Sequence, residues 1–326
     1  TNVKTIIQDA YDVNNNLLYV QLVGDWDDVQ SDLLEGYAPM DPQLGCVAGS
    51  DDHPDICIGR FSANSADEVS IQVDKVINYE KNPEAGADWY SAALGVASNQ
   101  GPGDDNELDY EQINVIYDDK LDPFTYESFY TAYDPSGTAQ MVTNALNDGV
   151  SIINYCGHGS VTSWGSTGYN NNHIDGLTNE NRLPVIFSVA CVNGAFNSAG
   201  DCFAEAWLKK EDGGAVMTMM ATINQPWNPP MRGQDYFNDL LVGGYDYDAH
   251  PGQNGINTDE GRTTIGAITF NGLVLMSTES GGPSDWETSK TWHLFGDPSM
   301  QPRTAAPGDL SYSNDLVFVG VPFSTI

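Results

Sequence analysis

Blocks of apolar residues alternate with segments of helical spacing along this chain of 326 residues. Val69, Val73 and Val76 fall on one face of a helix predicted over residues 66–81. The apolar blocks lack regular polar alternation, which is typical of strands buried on both faces of a parallel sheet. The predicted strands are residues 17–25, 91–98, 150–156, 183–191 and 214–222. The other predicted helices are residues 3–12, 108–121, 138–148, 202–211, 231–241 and 264–278.

Strands alternate with helices almost throughout, so the pattern predicts a doubly wound α/β sheet. Residues 82–88 are expected to link a smaller first unit, residues 1–85, to a larger unit, residues 86–304. Residues 305–326 have the pattern that begins an all-β module. A lone helix and strand make a poor N-terminal edge, so we expect the chain to begin within a domain.

The charge is strongly negative, with 12 Lys and Arg against 46 Asp and Glu and a net charge of -34. This balance excludes nucleic acid as a partner, because phosphate contacts need basic groups, and it attracts cationic substrates. No apolar run is long enough to span a bilayer. The first residues lack the basic and apolar regions of a signal peptide, which leaves open a signal on a longer precursor.

Five cysteines are an odd number, which does not suggest a disulfide framework and leaves at least one thiol free. Cys46 and Cys57 flank a segment that could form a hairpin, so a cross-strand disulfide stays open. The absence of any CxxC pair argues against a structural zinc site.

Two apolar runs end at side chains that can take part in catalysis. The first ends at His158, which lies between two glycines, and the second ends at Cys191. Sites in open α/β sheets lie at the carboxyl ends of strands, so neighbouring strands would bring the imidazole and the thiol to one crevice. A thiol beside an imidazole can perform nucleophilic acyl transfer. The N–H groups of Gly159 and Cys191 could bind the developing oxyanion.

Each of these two residues taken alone is more often a core residue than a catalytic one. Their matching positions at strand ends favour the catalytic interpretation. Residues 154–160 and 189–196 also resemble the His and Cys motifs of the gingipains, a group of caspase-like cysteine endopeptidases. Further segments look like those of the arginine-cleaving type, over most of residues 17–303: residues 22–25, 58–82, 177–194, 202–207, 222–235 and 292–300.

The resemblance implies two caspase-like α/β subdomains with a mostly parallel sheet between helices, followed by an immunoglobulin-like module. On this basis residues 1–85 are part of the first subdomain and residues 86–304 are the catalytic subdomain. Residues 305–326 would begin the immunoglobulin-like module. Most of the first subdomain would then lie outside this chain, and a separately cleaved N-terminal fragment is an expected partner.

The resemblance also implies roles for individual residues. His158 and Cys191 match the catalytic pair, and Gly159 with the Cys191 amide matches the oxyanion donors. Asp109 matches the carboxylate at the base of the specificity pocket, where it would pair with an arginine guanidinium. The side chains expected to enclose the substrate residue are Trp227, Met231, Val189 and Cys156.

The sequence departs from the gingipain pattern at three positions. Cys156 replaces a small hydroxyl residue in the pocket, and Val161 stands where an acid is expected. Gln100 takes the position of the acidic residue that orients the imidazole, with Asn99 or Asp104 as alternatives. A neutral amide can hold an imidazole by a hydrogen bond, but it stabilises an imidazolium less than a carboxylate does.

Catalysis needs no cofactor on this interpretation, while the resemblance implies a structural calcium ion. Acidic loops around Asp25, Asp51 and Asp104 are the candidate ligands, although none fits an EF-hand. The leading hypothesis is a secreted or cell-surface endopeptidase that cleaves after arginine in basic protein or peptide substrates. The alternatives are lysine or dual basic specificity, suggested by Cys156, and an inactive surface or adhesion module, suggested by Gln100.

Overall fold

A computed structural model describes residues 2–243 and 263–307 of the chain. The strands are β1 Tyr19–Val23, β2 Leu33–Leu34, β3 Ala38–Pro39, β4 Cys57–Phe61, β5 Ala92–Ala97, β6 Ser128–Tyr133, β7 Ile152–Cys156, β8 Gly159–Ser160, β9 Ser163–Trp164, β10 Val185–Val189, β11 Met217–Ala221 and β12 Trp292–Phe295. The helices are α1 Val3–Val13, α2 Ala66–Lys81, α3 Asp109–Val115, α4 Asp122–Phe124, α5 Ala139–Asp148, α6 Asn171–Asp175, α7 Phe203–Lys209, α8 Asn228–Val242, α9 Ile265–Ser280 and α10 Pro283–Thr291.

Eight strands form one sheet in the order β1-β4-β12-β11-β10-β7-β5-β6. All neighbouring pairs in this sheet are parallel except β11 with β12. The predicted α/β class with a mostly parallel sheet is therefore confirmed. Strands β4, β6 and β12 were not predicted as strands from the pattern.

Successive residues of the central strands enter two different cores. Ile152 of β7 packs in a core with Phe237 of α8, whereas Ile153 packs in the opposite core with Trp207 of α7. This division follows from the two-residue repeat of a strand, which turns alternate side chains to opposite faces. The helices lie on both faces of the sheet, as expected, and the continuous apolar runs reflect burial on both sides.

Side-chain oxygens at the residue before each helix fix several helix starts. Ser65 accepts a hydrogen bond from the backbone N–H of Glu68 at the start of α2, and Thr138 accepts one from Met141 at the start of α5. These caps satisfy N–H groups that the first turn leaves without partners. The predicted helix over residues 108–121 begins at Asp109 and continues beyond α3 through a π-helical turn, Ile116–Leu121.

The hairpin and disulfide left open for Cys46 and Cys57 are not formed. Cys46 follows a 3-10 helix, Asp41–Gly45, and Cys57 begins β4, which pairs with β1. All five cysteines are free thiols.

The expected domain boundaries stay predictions. Strands β1 and β4, from the segment assigned to the first unit, belong to the same sheet as β7 and β10. The expected start of an immunoglobulin-like module falls mainly on residues 308–326, which lie outside the described residues. Within residues 2–243 and 263–307, no helix combines the length and the apolar character needed to cross a membrane.

Candidate active site

The site lies where two parallel strands end side by side. β7 and β10 pair directly, with Cys156 opposite Val189 at the last position of each strand. His158 and Cys191 each follow two residues after these ends. The last backbone hydrogen bond between these two strands runs from the Gly157 N–H to the Val189 carbonyl oxygen at 3.1 Å. The carboxyl edge of the sheet therefore brings the imidazole and the thiol to one crevice, as the pattern suggested.

One pocket at this edge gathers most of the predicted site residues. It is lined by Cys156, Gly157, His158, Val189, Ala190, Cys191, Gln225, Pro226 and Trp227. Met231 is fully buried in α8 and follows Trp227 by one helical turn. Asp109, at the start of α3, has no exposed surface and hydrogen-bonds to the indole of Trp227. Five of the predicted site residues thus line one pocket: Cys156, His158, Val189, Cys191 and Trp227. Asp109 is in contact with this lining through Trp227.

The Cys191 thiol is partly enclosed by backbone. Its sulfur lies 3.9 Å from the carbonyl oxygen of Gln225. Burial raises the pKa of the thiol above its usual value of 9.0, and backbone hydrogen bonds from Gln225 and Gly159 act in the opposite direction. A thiol in this setting is neutral at pH 7 until a base removes its proton.

Gly159 lies against the chain that carries the thiol. A Cβ atom at Gly159 would stand 2.6 Å from the Cys191 carbonyl oxygen and 2.9 Å from the Ala190 Cβ. The close approach of these two backbones excludes any side chain at Gly159. It also keeps the Gly159 N–H beside the sulfur, where an oxyanion formed on attack would need a donor.

The backbone directly after the nucleophile candidate is strained. Val192 has φ of 48°, a left-handed conformation that a β-branched residue rarely adopts. Its N–H donates to the Ile223 carbonyl oxygen at 2.8 Å, and the Gly194 N–H donates to Ala221 at 2.8 Å. These bonds to the end of β11 hold the sharp turn that presents Cys191.

The His158 imidazole is held from one side. Its Nε2 lies 2.9 Å from the Oε1 of Gln100. Its backbone carbonyl oxygen accepts from the Tyr155 hydroxyl at 2.6 Å and from the Gly165 N–H at 2.7 Å. The ring meets Trp227 edge-on, with centroids 5.3 Å apart. Of the three residues considered for orienting the imidazole, Gln100 is the one in contact with it.

The Asp109 carboxylate accepts hydrogen bonds from several side chains, including the pocket residue Trp227. Its Oδ2 accepts from the Ser98 hydroxyl, and its Oδ1 accepts from the Trp227 indole N–H at 2.8 Å. The Cys156 thiol also hydrogen-bonds to it. Burial raises the pKa of the Asp109 carboxyl above its usual 3.8, and these hydrogen bonds oppose the rise. The carboxylate therefore combines a low-dielectric setting with a fixed orientation.

The carboxylates of the three candidate calcium ligands have partners within the protein. Asp25 accepts from the Asp27 N–H at 2.9 Å, and Asp51 accepts from the His53 N–H at 3.0 Å. Asp104 pairs with Arg232 at 3.0 Å. In the described part of the chain, no three His, Cys, Asp or Glu side chains are grouped as metal ligands. Asp25, Asp51 and Asp104 therefore do not form one metal site together, and a structural calcium ion stays a prediction.

Sequence reasoning missed three polar residues at the site. Ser98 holds the Asp109 carboxylate, Gln225 accepts from the Ala190 N–H at 3.1 Å, and Asn193 is buried between the loops that carry His158 and Cys191. Only the NG dipeptide of Asn193 is a turn signal in the sequence. The partners of all three are brought close by the fold, so no local pattern identifies them.

Comparison with known proteins gives a consistent result. A family-wide sequence model described as Peptidase family C25 matches residues 1–303. Gingipain R2 of Porphyromonas gingivalis is 39% identical over 302 residues, which is 91% of this chain and 39% of that protein. Gingipain R1 of the same species is 40% identical over 299 residues, which is 90% of this chain and 29% of that protein. The chain thus spans well under half of these relatives' length.

Solved structures agree with the sequence relatives. The crystal structure of the Arg specific cysteine proteinase gingipain R superposes with a TM-score of 0.85 at 36% identity, covering 94% of this chain and 69% of that one. A complex of the RgpB pro- and mature domains from Porphyromonas gingivalis gives 0.85 at 35% identity, covering 94% of this chain and 70% of the matched one. The expected caspase-like α/β fold with a mostly parallel sheet is confirmed, whereas the immunoglobulin-like module stays a prediction. With the family match extending over residues 1–303, this chain is a member of peptidase family C25.

Proposed function

We propose that this chain is a cysteine endopeptidase that hydrolyses peptide bonds after arginine. The observation that carries the proposal is one pocket lined by Cys191, His158 and Trp227, with the buried Asp109 carboxylate hydrogen-bonded to the Trp227 indole. Relatives named gingipain R1 and R2, and a structure titled as an Arg specific cysteine proteinase, support the same assignment.

The hydrogen bond to Gln100 supports the tautomer needed for the first step. Because the Gln100 Oε1 is an acceptor, the Nε2 of His158 carries the proton and Nδ1 keeps its lone pair. Nδ1 is then the base that takes the Cys191 proton as the sulfur attacks the scissile carbonyl carbon. The N–H groups of Gly159 and Cys191 stabilise the oxyanion that forms.

Collapse of the tetrahedral intermediate breaks the C–N bond, and the imidazolium gives its proton to the leaving amine. The product is a thioester between Cys191 and the substrate's arginine residue. Water then attacks the thioester carbonyl with His158 as base, which releases the acid and restores the thiol. Gln100 keeps the ring oriented but contributes less charge stabilisation to the imidazolium than a carboxylate would.

Recognition of arginine rests on Asp109 and Trp227 in this proposal. An entering guanidinium replaces the indole N–H as the partner of the Asp109 Oδ1 and forms a charge-assisted pair in a buried site. The indole, released from that bond, covers the planar guanidinium and adds a cation–π contact. Met231, buried one helical turn after Trp227, is the residue proposed to contact the aliphatic stem from the other side.

Hydrolysis of two fluorogenic peptides, one ending in arginine and one in lysine, tests the proposal. We expect cleavage of the arginyl peptide and complete loss in Cys191→Ala, because no other group replaces the sulfur. Cys46→Ala, which changes a thiol far from the pocket, is the matched control and should retain activity. Full activity in Cys191→Ala would refute the mechanism.

Lysine or dual basic specificity is the second candidate, and the contact of Cys156 with Asp109 favours it. A thiol is a weaker donor than a hydroxyl, which leaves the carboxylate freer to meet a point charge. Equal kcat/KM for the two peptides would support this alternative. Cleavage of neither peptide by folded protein would support an inactive surface or adhesion module instead.

The proposal also includes a structural calcium ion and a location outside the cell or at its surface. The test includes a chelator, because a structural ion would make the arginyl activity chelator-sensitive. Secretion or surface display is the location that the gingipain resemblance implies. Protein or peptide substrates with basic residues are the expected partners, and a separately cleaved N-terminal fragment stays a prediction.

A further inference from the structure

Sheet hydrogen bonds do not extend to the two side chains that would react. The last of them joins the Gly157 N–H to the Val189 carbonyl oxygen, and His158 and Cys191 lie beyond it on separate loops. The loop after β7 folds into the hairpin β8–β9, and the loop after β10 makes the strained turn at Val192. Some other contact must fix the separation of the two loops.

Asn193 makes that contact. Its side chain has no exposed surface, and its Nδ2 donates to two carbonyl oxygens of the hairpin, Ser160 at 2.6 Å and Ser163 at 3.1 Å. Those two serines face each other across β8 and β9. One amide group on the Cys191 loop thus closes the end of the hairpin that begins at Gly159.

The orientation of this amide is fixed by its other partners. The Asn193 Oδ1 accepts from the Ser188 hydroxyl at 3.2 Å, and the Ser188 oxygen accepts from the Trp164 indole N–H at 3.0 Å. Trp164 belongs to the hairpin and stacks on Tyr155, whose hydroxyl holds the His158 carbonyl oxygen. The contacts thus run from Asn193 through Ser188 of β10 to Trp164 and Tyr155, and from there to the backbone of His158.

We infer that Asn193 is a positioning residue that sets the distance between the Cys191 sulfur and the His158 imidazole. The inference rests on the proposed function of these two side chains. Asn193 touches neither reacting group and acts through the hairpin backbone. A carboxylate at this position would face two carbonyl oxygens that it cannot bond, so the isosteric change Asn193→Asp pushes the loops apart.

Kinetics of the whole chain give the first test. We expect Asn193→Asp to lower kcat for the arginyl peptide by roughly 10- to 100-fold, since small displacements of reacting groups cost rates of this size. KM should change by less than about threefold, because Asp109 and Trp227 are untouched. Unchanged kcat in a folded Asn193→Asp protein overturns the inference.

Alkylation of Cys191 by iodoacetamide gives a readout that needs no substrate. A nearby imidazole promotes the thiolate, so separating the loops should move the pH midpoint of alkylation upward by about one unit. An unmoved midpoint overturns the inference. The alkylation experiment also tests the role of Asn193 separately from the proposed function. If the native chain cleaves no peptide, the proposed function fails, while the alkylation shift still decides the role of Asn193.

Asn179→Asp is the matched control. Asn179 is equally buried and its Nδ2 also donates to two carbonyl oxygens, those of Arg182 at 2.9 Å and Gly214 at 2.8 Å. It precedes β10, at the end of that strand remote from Cys191. The Asn179→Asp variant should be less stable than the native protein, with unchanged kcat and an unchanged pH midpoint of Cys191 alkylation. An equal fall in kcat in the control would show a general effect of buried charge and overturn the inference.

Ser188→Ala decides the matter if Asn193→Asp does not fold. This small change removes the donor to Asn193 and the acceptor of Trp164, and leaves the amide less constrained. We expect kcat to fall several-fold, with the alkylation midpoint raised, as for any loosened near-attack geometry. Native values of both quantities in Ser188→Ala would overturn the inference.

Discussion

Asp109 is the residue whose ionisation decides substrate binding in the proposed mechanism. Burial raises the pKa of its carboxyl above 3.8. As the pH falls through this raised pKa, the carboxylate takes up a proton and loses its attraction for a guanidinium. We therefore expect kcat/KM for the arginyl peptide to have an acid limb at a pH above 3.8 that reports the free enzyme.

Asp109→Asn is the test at the same position. It should remove that acid limb and lower kcat/KM for the arginyl peptide by about 10- to 100-fold, the loss expected for a buried hydrogen bond to a charged group. The lysyl peptide should lose less, because an ammonium does not use both carboxylate oxygens as a guanidinium does. An acid limb that persists in the variant would assign it to another group.

Sequence alone identified some of these residues and not others, for a physical reason. His158 and Cys191 were predicted because each ends an apolar run, a local pattern. Asp109 is one of 46 acidic residues and was selected only through the gingipain resemblance. Asn193 acts on Ser160, 33 residues earlier, and no propensity or spacing encodes that contact.

Lys75 shows the same dependence on tertiary structure at the scale of elements. It lies on α2, and its Nζ donates to the carbonyl oxygens of Trp207 and Leu208 in α7. Burial, together with the smaller effect of the Lys210 charge, lowers its pKa from 10.5 to about 7. Below pH 7 the folded state must hold a buried ammonium, whereas at higher pH the buried amine is neutral.

The pH dependence of stability follows from this pKa. Between about pH 10 and pH 7 the unfolded chain carries the proton on Lys75 and the folded chain does not. Stability therefore falls as the pH drops, by at most about 1.4 kcal/mol per pH unit from this group. Lys75→Met should flatten this slope in urea unfolding measured from pH 7 to 10. Lys81→Met, an exposed lysine of the same helix, should keep the native slope.

Two of the strands that sequence analysis missed lack a clear local signal, for different reasons. β12 follows α10 without an intervening turn, since Thr291 ends the helix and Trp292 begins the strand. β6 has a partly exposed pattern because it is an edge strand, so it lacks the continuous apolar run of its neighbours. The long central strands were predicted correctly because burial on both faces leaves a clear signal in the composition.

The whole molecule carries a net charge of -34, and this should act on substrate association rather than on the chemical step. We expect kcat/KM for a peptide with additional lysines to fall between about 0.01 M and 1 M salt, as the screening length drops from about 30 Å to 3 Å. A peptide with neutral flanking residues is the control. An equal salt effect on both peptides would exclude long-range attraction.

The position of β12 has a consequence for how the chain reaches its native form. β4 is joined to the rest of the sheet through β12, with Phe295 opposite Arg60 and the Gly296 N–H bonded to the Arg60 carbonyl oxygen at 2.9 Å. β1 and β4 therefore cannot dock on the other strands until residues 292–296, far later in the chain, have been synthesised. The pairing of β4 with β12 is consequently a late event in folding.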